Sequence, residues 1–243
     1  MNDDSKPVTL ITGASKGIGR ACADLLAARN HHVVGLARHQ PEDFPGDFHC
    51  VDLGDRQALD AMLENLCQQY AFGGLVNNAG IVGPELIENI DLDIVDAVFQ
   101  VNLGAAMQCV KFCLPAMKQQ HRGRIVNISS ELALGLPTRT AYGGSKAALI
   151  SMTRTWALEL ARDAITVNAV APGPVDTEFF RSNNPEGSSE RERKLQRIPL
   201  GRFATAEDIA RSVAFFMGDD AEYVTGQTLF VDGGSSLASS ALF

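Results

Sequence analysis

Short apolar runs alternate with longer amphipathic stretches from one end of the chain to the other. The runs cover residues 8–11, 33–37, 48–51, 75–77, 125–129, 165–170 and 228–231. Most are compact and rich in Val, Ile or Leu, the pattern of strands buried on both faces. Between them, residues 17–29, 56–70, 92–119, 140–162 and 206–217 carry helical spacing. In the first of these, Ile18, Ala21, Leu25 and Leu26 fall on one side. Buried strands joined by crossover helices predict an α/β protein. Its core is a doubly wound parallel sheet of about seven strands, with helices on both faces and a site at the carboxyl ends of the strands.

No internal repeat or linker divides the sequence, so residues 1–243 are expected to form a single domain. One segment, 178–202, breaks the rhythm. It is polar, with Asn183-Asn184-Pro185 and the run Glu190-Arg191-Glu192-Arg193-Lys194. It follows directly from a strand end, which points to a lid over the substrate; a solvated loop with a short charged helix is the alternative.

Charge and cysteines narrow the function classes. A formal net charge of −8 argues against nucleic acid as the main partner. No apolar run approaches the roughly 18 residues of a membrane span, and Met1 to Pro7 is polar, so a cytoplasmic protein without membrane contact is expected. The five cysteines (Cys22, Cys50, Cys67, Cys109, Cys113) contain no CxxC pair and are expected to be small buried hydrophobes in a reducing compartment. The adjacent His31 and His32 point to opposite faces as strand neighbours, so no metal site is expected.

Two clusters carry chemistry. The first, Thr12-Gly13-Ala14-Ser15-Lys16-Gly17-Ile18-Gly19, joins a strand to a helix. Its glycines permit a tight turn and let backbone approach a pyrophosphate at the helix N-terminus. The second, Tyr142-Gly143-Gly144-Ser145-Lys146, places a phenol and an ammonium at i and i+4 on one helical face. An ammonium nearby lowers a phenol's pKa from about 10 and makes it a usable proton donor or acceptor.

Further markers follow in a fixed order: Asn77-Asn78-Ala79-Gly80, Asn102, Ser129-Ser130, Tyr142 with Lys146, Pro172-Gly173, and Gly226-Gln227 to Asp232-Gly233-Gly234. With the spacing Gly-x-x-x-Gly-x-Gly, the sequence resembles the short-chain dehydrogenase/reductases over nearly its whole length, closest to the 3-oxoacyl-[acyl-carrier-protein] reductase-like group. The resemblance implies a Rossmann-type fold, an NADP(H)-dependent oxidoreductase, and a catalytic set of Asn102, Ser130, Tyr142 and Lys146. Lys146 would also hold the nicotinamide ribose, and Asn102 would mark a helix kink with a water relay to Lys146. Counting back the usual interval from Tyr142 lands on Ser129, so either serine can be the one that faces the substrate. Cofactor contacts are implied at Gly13, Ser15, Lys16, Gly17, Ile18, Gly19, Arg38, Asp52, Leu53, Asn78, Ala79, Gly80, Tyr142, Lys146, Pro172, Gly173, Val175 and Thr177. Asp52 would bind the adenine amino group, Asn78 would lie along the adenosine, and Val175 and Thr177 would lie near the nicotinamide amide. Members that prefer NAD carry an acidic residue about where Ala37 stands; here Arg38 and Lys16 suit a 2′-phosphate, which favours NADP(H) over NAD(H).

The implied reaction is reduction of a carbonyl to a secondary alcohol with NADPH, run reversibly on a small molecule or on a substrate carried by acyl-carrier protein. Arg122 and Arg124 are candidates to meet an acidic carrier, although Asp163 stands where another basic residue is expected. A sugar, polyol, steroid or other small ketone is the alternative substrate, and the loops 81–85, 131–139 and 178–202 would decide. A dinucleotide-binding sensor without catalysis is a third reading, disfavoured because the Tyr/Lys pair is intact. By analogy the long helices carrying Met107, Phe112, Met152, Trp156 and Leu160 would pair in a homotetramer.

Overall fold

The apolar runs become the seven strands of one sheet. They are β1 (Val8–Thr12), β2 (His32–Ala37), β3 (Asp47–Cys50), β4 (Phe72–Asn77), β5 (Gly123–Ile128), β6 (Ile165–Pro172) and β7 (Thr228–Val231), in the order β3-β2-β1-β4-β5-β6-β7. The computed structural model describes residues 6–237. Every neighbouring pair is parallel. The order reverses between β1 and β4, so the connections leave in opposite directions there and open a crevice at the carboxyl edge.

The described residues hold eight α-helices: α1 (Gly17–Ala28), α2 (Arg56–Gln69), α3 (Leu92–Phe99), α4 (Ala105–Gln120), α5 (Thr140–Leu160), α6 (Glu178–Asn183), α7 (Ser189–Gln196) and α8 (Ala206–Met217). Alternation along each strand divides the core in two. Leu10, Leu36, Leu75, Ile125 and Val167 face α2, α4 and α5, while Ile11, Val33, Val76, Val126 and Val170 face α1 and α8. On α2, Leu59, Leu63 and Leu66 are fully buried at helical spacing, each contributing ~1.5–3 kcal/mol relative to exposure. Asp55 caps α2 by accepting from the backbone N–H groups of Gln57 and Ala58, and Thr205 and Asp208 form a capping box on α8. A buried polar chain ties the sheet to α5: Asn77 Nδ2 donates to Asn127 Oδ1 at 2.8 Å, Asn127 Nδ2 to Thr153 Oγ1 at 2.8 Å, and Thr153 Oγ1 to the Leu149 carbonyl at 2.8 Å.

The structure corrects several sequence expectations. The helix expected over 92–119 is two helices joined by a π-helical turn, Gln100–Gly104. By length and composition the run Leu92–Gln120 is apolar enough to cross a membrane, but half of its most apolar stretch is buried in the protein. It is a core element. Strand β5 stops at Ile128, so Ser129 and Ser130 leave the sheet rather than extend it. Segment 178–202 holds two short helices, α6 and α7. Cys22, Cys109 and Cys113 are buried as expected, and burial pushes the Cys22 and Cys109 thiols up to about 12, which makes them inert. Cys50 is exposed at the end of edge strand β3. His31 precedes β2 and sits 2.9 Å from Thr9 Oγ1, whereas His32 bonds Asp47 across the β2–β3 edge at 2.8 Å.

Candidate active site

The glycine loop is held by geometry that only glycine satisfies at two positions. Gly13 has φ +65, and a Cβ there would lie 2.9 Å from Asn78 Nδ2. A Cβ on Gly19 would lie 2.3 Å from the Gly13 carbonyl oxygen, so α1 can press against the strand end only without a side chain. Asn78 Nδ2 donates to the carbonyls of Thr12 (2.9 Å) and Gly13 (3.1 Å), and Thr12 Oγ1 accepts from the backbone N–H groups of Asn78 and Ala79. Asn78 therefore clamps the loop shut. No side chain caps α1, and its first turn has no acidic residue, so its N–H groups and positive dipole end are free for an anion. Ser15 and Ile18 lie partly buried beside them.

The other implied cofactor residues line the same carboxyl edge. Arg38 follows β2 directly, exposed and without a carboxylate partner among the described residues. Asp52 is exposed and its Oδ1 accepts from the Gly54 N–H at 2.9 Å, while Leu53 beside it is buried. Lys16 lies 3.8 Å from Glu178, the first residue of α6. Pro172 ends β6, and a Cβ on Gly173 would strike Asp232. Val175 is buried, and Thr177 caps α6 by accepting from the Phe180 N–H. The Thr177 methyl also packs where a Cβ on Gly17 would contact it.

On the far side of the crevice the two serines separate. Ser129 Oγ donates to the Lys146 carbonyl at 2.9 Å and is buried. Ser130 Oγ accepts from the Leu132 N–H at 3.1 Å and is the serine that acts on the ionisation of the Tyr142 phenol. Ser130 is thus the serine beside the phenol. Lys146 is only 3% exposed; its Nζ donates to the Ile128 carbonyl at 2.7 Å and stands 5.6 Å from the centre of the Tyr142 ring. The π-helical turn swings Asn102 inward. Its Oδ1 accepts from the Ile81 N–H, and its Nδ2 donates to the Ile81 carbonyl and to Ser145 Oγ, which in turn donates to the Tyr142 carbonyl. Asn102 and Lys146 share no direct hydrogen bond, but a Cβ on Gly80 would lie 3.3 Å from both Asn102 Oδ1 and Lys146 Nζ. Both groups converge on that glycine.

The electrostatics differ from the expectation. Burial raises the Tyr142 pKa above the usual 10, while the Ser130 hydrogen bond and the charge of Arg139 oppose the rise. The charge acting on the phenol is that of Arg139, just ahead of α5, rather than that of Lys146. Burial also depresses Lys146, from 10.5 to about 8. With its pKa near 8, Lys146 is already neutral where a phenol raised above 10 titrates, so it does not pull that phenol down.

A family model described as enoyl-(acyl carrier protein) reductase matches residues 13–236. The chain belongs to the short-chain dehydrogenase/reductase family. A 3-oxoacyl-[acyl-carrier-protein] reductase of Thermotoga maritima is 39% identical over 240 residues, 93% of this chain and 96% of that protein. A Beutenbergia cavernae protein assigned as an NAD(P)-dependent gluconate 5-dehydrogenase, with NADP bound at low occupancy, is 34% identical with a TM-score of 0.89 over 97% of this chain and 98% of that one. Thermoplasma acidophilum aldohexose dehydrogenase is 31% identical with a TM-score of 0.90 over 98% and 97%. As a short-chain dehydrogenase/reductase the chain is an oxidoreductase of Rossmann-type fold.

Arg122 and Arg124 do not join this dehydrogenase site. They stand at the amino end of β5, the opposite edge of the sheet, where Arg124 is buried and Arg122 is paired with Asp219 at 2.6 Å. Residues the sequence did not single out are Thr12, which anchors the Asn78 turn, and Ser145, which bridges Asn102 to α5. The hydroxyl of Ser145 lies inside the Tyr/Lys motif and is legible there in hindsight.

The Lys146 shift has a measurable sign. Its ammonium costs stability in full below pH 8, and the cost fades as pH rises to 10.5, because the unfolded chain binds more protons in that window. The full cost is about 3 kcal/mol, reduced by ~1 kcal/mol for the hydrogen bond to Ile128. Lys146→Met is therefore expected to be about 1–3 kcal/mol more stable than the parent at pH 7 in urea titration, with the gain shrinking toward pH 10.5.

Proposed function

We propose that this chain reduces a ketone to a secondary alcohol with NADPH, reversibly. The carrying observation is the Tyr142 phenol with buried Lys146 5.6 Å from its ring and Ser130 acting on it, across the crevice from an uncapped helix N-terminus. The cofactor is NADP(H). The α1 N-terminus and glycine loop suit its pyrophosphate, and Arg38 with Lys16 suits its 2′-phosphate. When bound, its dihydronicotinamide supplies the hydride. Ser130 Oγ and the Tyr142 hydroxyl hydrogen-bond the carbonyl oxygen, and Tyr142 gives its proton as negative charge develops there. The raised pKa of Tyr142 keeps that proton in place until it is needed. Lys146 holds one donor on Ile128 and offers the others to the nicotinamide ribose. Asn102, through Ile81 and Ser145, fixes the first turns of α5.

The relatives named as 3-oxoacyl-[acyl-carrier-protein] reductases support a 3-oxoacyl thioester as substrate. A sugar or sugar-acid ketone is the second reading, favoured by structural neighbours named for gluconate and aldohexose. Segment 178–202 is read as the cover of the cleft, pinned at its base where Arg191 bonds Asp176 at 3.1 Å and stacks on Phe203. The cytoplasm is the compartment this chemistry fits.

Tyr142→Phe should abolish ketone-dependent oxidation of NADPH and leave NADPH affinity within about threefold; turnover near the parental rate would remove the reading. Fluorescence titration and a panel of acetoacetyl thioesters, oxo acids, aldoses and ketosteroids measure both. Arg38→Ala should shrink the preference for NADPH over NADH by about tenfold or more, from ~1.5–3 kcal/mol for a hydrogen bond to a charged group.

The exposed apolar face of α3, α4 and α5, with Phe99, Met107 and Leu158 (84% exposed), supports a homotetramer closed through paired helices. Phe112, Met152 and Trp156 are partly buried against the protein's own core and Leu160 is buried within it. Light scattering should give four times the chain mass of 26.1 kDa.

A further inference from the structure

Arg139 sits one residue ahead of α5 and three ahead of Tyr142, and the fold spends strain to hold it there. The preceding Thr138 has φ +65, a left-handed conformation rare for a β-branched residue. Such strain clusters at functional sites. Its effect is to aim Thr138 at the guanidinium: Arg139 Nη1 donates to the Thr138 carbonyl at 3.1 Å and to Thr138 Oγ1 at 2.9 Å. The same carbonyl accepts from the Glu85 N–H at 3.2 Å, and the Arg139 carbonyl accepts from the Gly143 N–H at 2.7 Å. Main chain and one guanidinium nitrogen are thus fixed, while Nε and Nη2 donate to nothing within the described residues.

Arg139 also lacks a counter-ion among the described residues. Among the described residues no carboxylate lies within 4 Å of it: Glu190 pairs with Lys194 at 2.9 Å, and Glu85 accepts from the Asp91 N–H. Its main chain lies between the loop at Glu85 and the first turn of α5, one turn before Tyr142, and its charge acts on the Tyr142 phenol. The Nε–Nη2 edge of this half-buried cation is therefore open to an anion from outside the described residues.

We propose that Arg139 is a specificity-determining residue that binds a carboxylate on the substrate, which makes the substrate a compact oxo acid. The proposal rests on the carbonyl-reductase reading above and names its substrate class. The free edge of the guanidinium offers two parallel donors, the match for a carboxylate. Arg139 stands one helical turn before Tyr142, so a carboxylate held by it is expected near the reacting carbonyl, which suits a compact substrate. The phosphate of a carrier's pantetheine arm is a second source of negative charge, but it is separated from its ketone by the length of that arm.

The test is calorimetric, on the NADP-loaded protein, with oxo acids paired to neutral counterparts: acetoacetate with acetoacetamide, 4-oxopentanoate with its amide, and 5-keto-gluconate with fructose. At least one carboxylate is expected to bind tenfold or more tightly than its neutral partner. Arg139→Gln should erase that preference, and Arg139→Lys, which keeps a cation without the fork, should keep part of it and guards against a Gln variant that fails to fold. Equal binding within every pair in the parent, or a preference that survives Arg139→Gln, overturns the proposal. So does a loss on Arg139→Gln confined to acetoacetyl-4′-phosphopantetheine relative to acetoacetyl-pantetheine, which assigns the charge to the carrier's phosphate. Turnover by Tyr142→Phe would remove the reductase reading without touching these binding differences, so the two failures are distinguishable.

Discussion

Two hydrogen bonds running in opposite directions moor the second turn of α5 to the end of β5. Lys146 Nζ donates to the Ile128 carbonyl, and Ser129 Oγ donates to the Lys146 carbonyl. The strand has just run out of ladder partners, so its last groups need such company. With both ends of Lys146 fixed, α5 can neither rotate nor slide against the sheet, and Tyr142, one turn earlier, must face Ser130. The serine that stays in the mooring and the serine that meets the phenol are neighbours in sequence, pointed apart by the chain as it leaves the strand.

This mooring places a cation in the protein interior, which burial alone disfavours. The surrounding structure offsets that cost by rigidity. The π-helical turn brings Asn102 between Ile81 and Ser145, and the chain from Asn77 through Asn127 to Thr153 ties the next turns of α5 to β4 and β5. Asn77 donates to Asn127 and Asn127 to Thr153, so these side chains hold one another in place, while Asn77 Oδ1 has no partner among the described residues. The outcome is a candidate active site whose phenol and lysine hold their spacing through polar networks on three sides. Stability is given up at Lys146 in exchange for that fixed geometry.

Much of this was legible in the residues. Strands such as 165–170 stand out because both faces are buried and apolar residues dominate the run. The glycine loop and the Tyr/Lys pair are local motifs, and they fall at strand ends as parallel topology requires. The π-helical turn was not legible, since buried Val98, Asn102, Ala105 and Cys109 keep spacings of three and four straight through it. The start of β4 was missed because Gly73 and Gly74 carry no side chain to signal a strand. The role of Arg122 and Arg124 was misjudged although strand direction alone argues against it: residues that open a parallel strand lie at the edge opposite the site. Electrostatics was the least legible layer. That Lys146 spends its charge on Ile128, and that burial outweighs every charge near Tyr142, depends on where atoms point rather than on which residues recur.

The two halves of the crevice are built by different means, and this is why one was readable and the other was not. The cofactor side is shaped by backbone: a glycine that alone fits beside Asn78, a helix end with free N–H groups, a clamp onto carbonyls. Backbone demands leave a sequence signature, because few residues satisfy them. The substrate side is shaped by side chains on loops. Glu131, raised in pKa by burial, is joined to Ser235 across the cleft wall, and Leu86 and Leu134 stand exposed at its mouth. Any of these residues is ordinary in a loop, and Arg139 reads as a surface cation until Thr138 is seen to be strained toward it. Specificity in this fold is therefore written in contacts between segments far apart in the chain, and it becomes visible only once the sheet has brought those segments together.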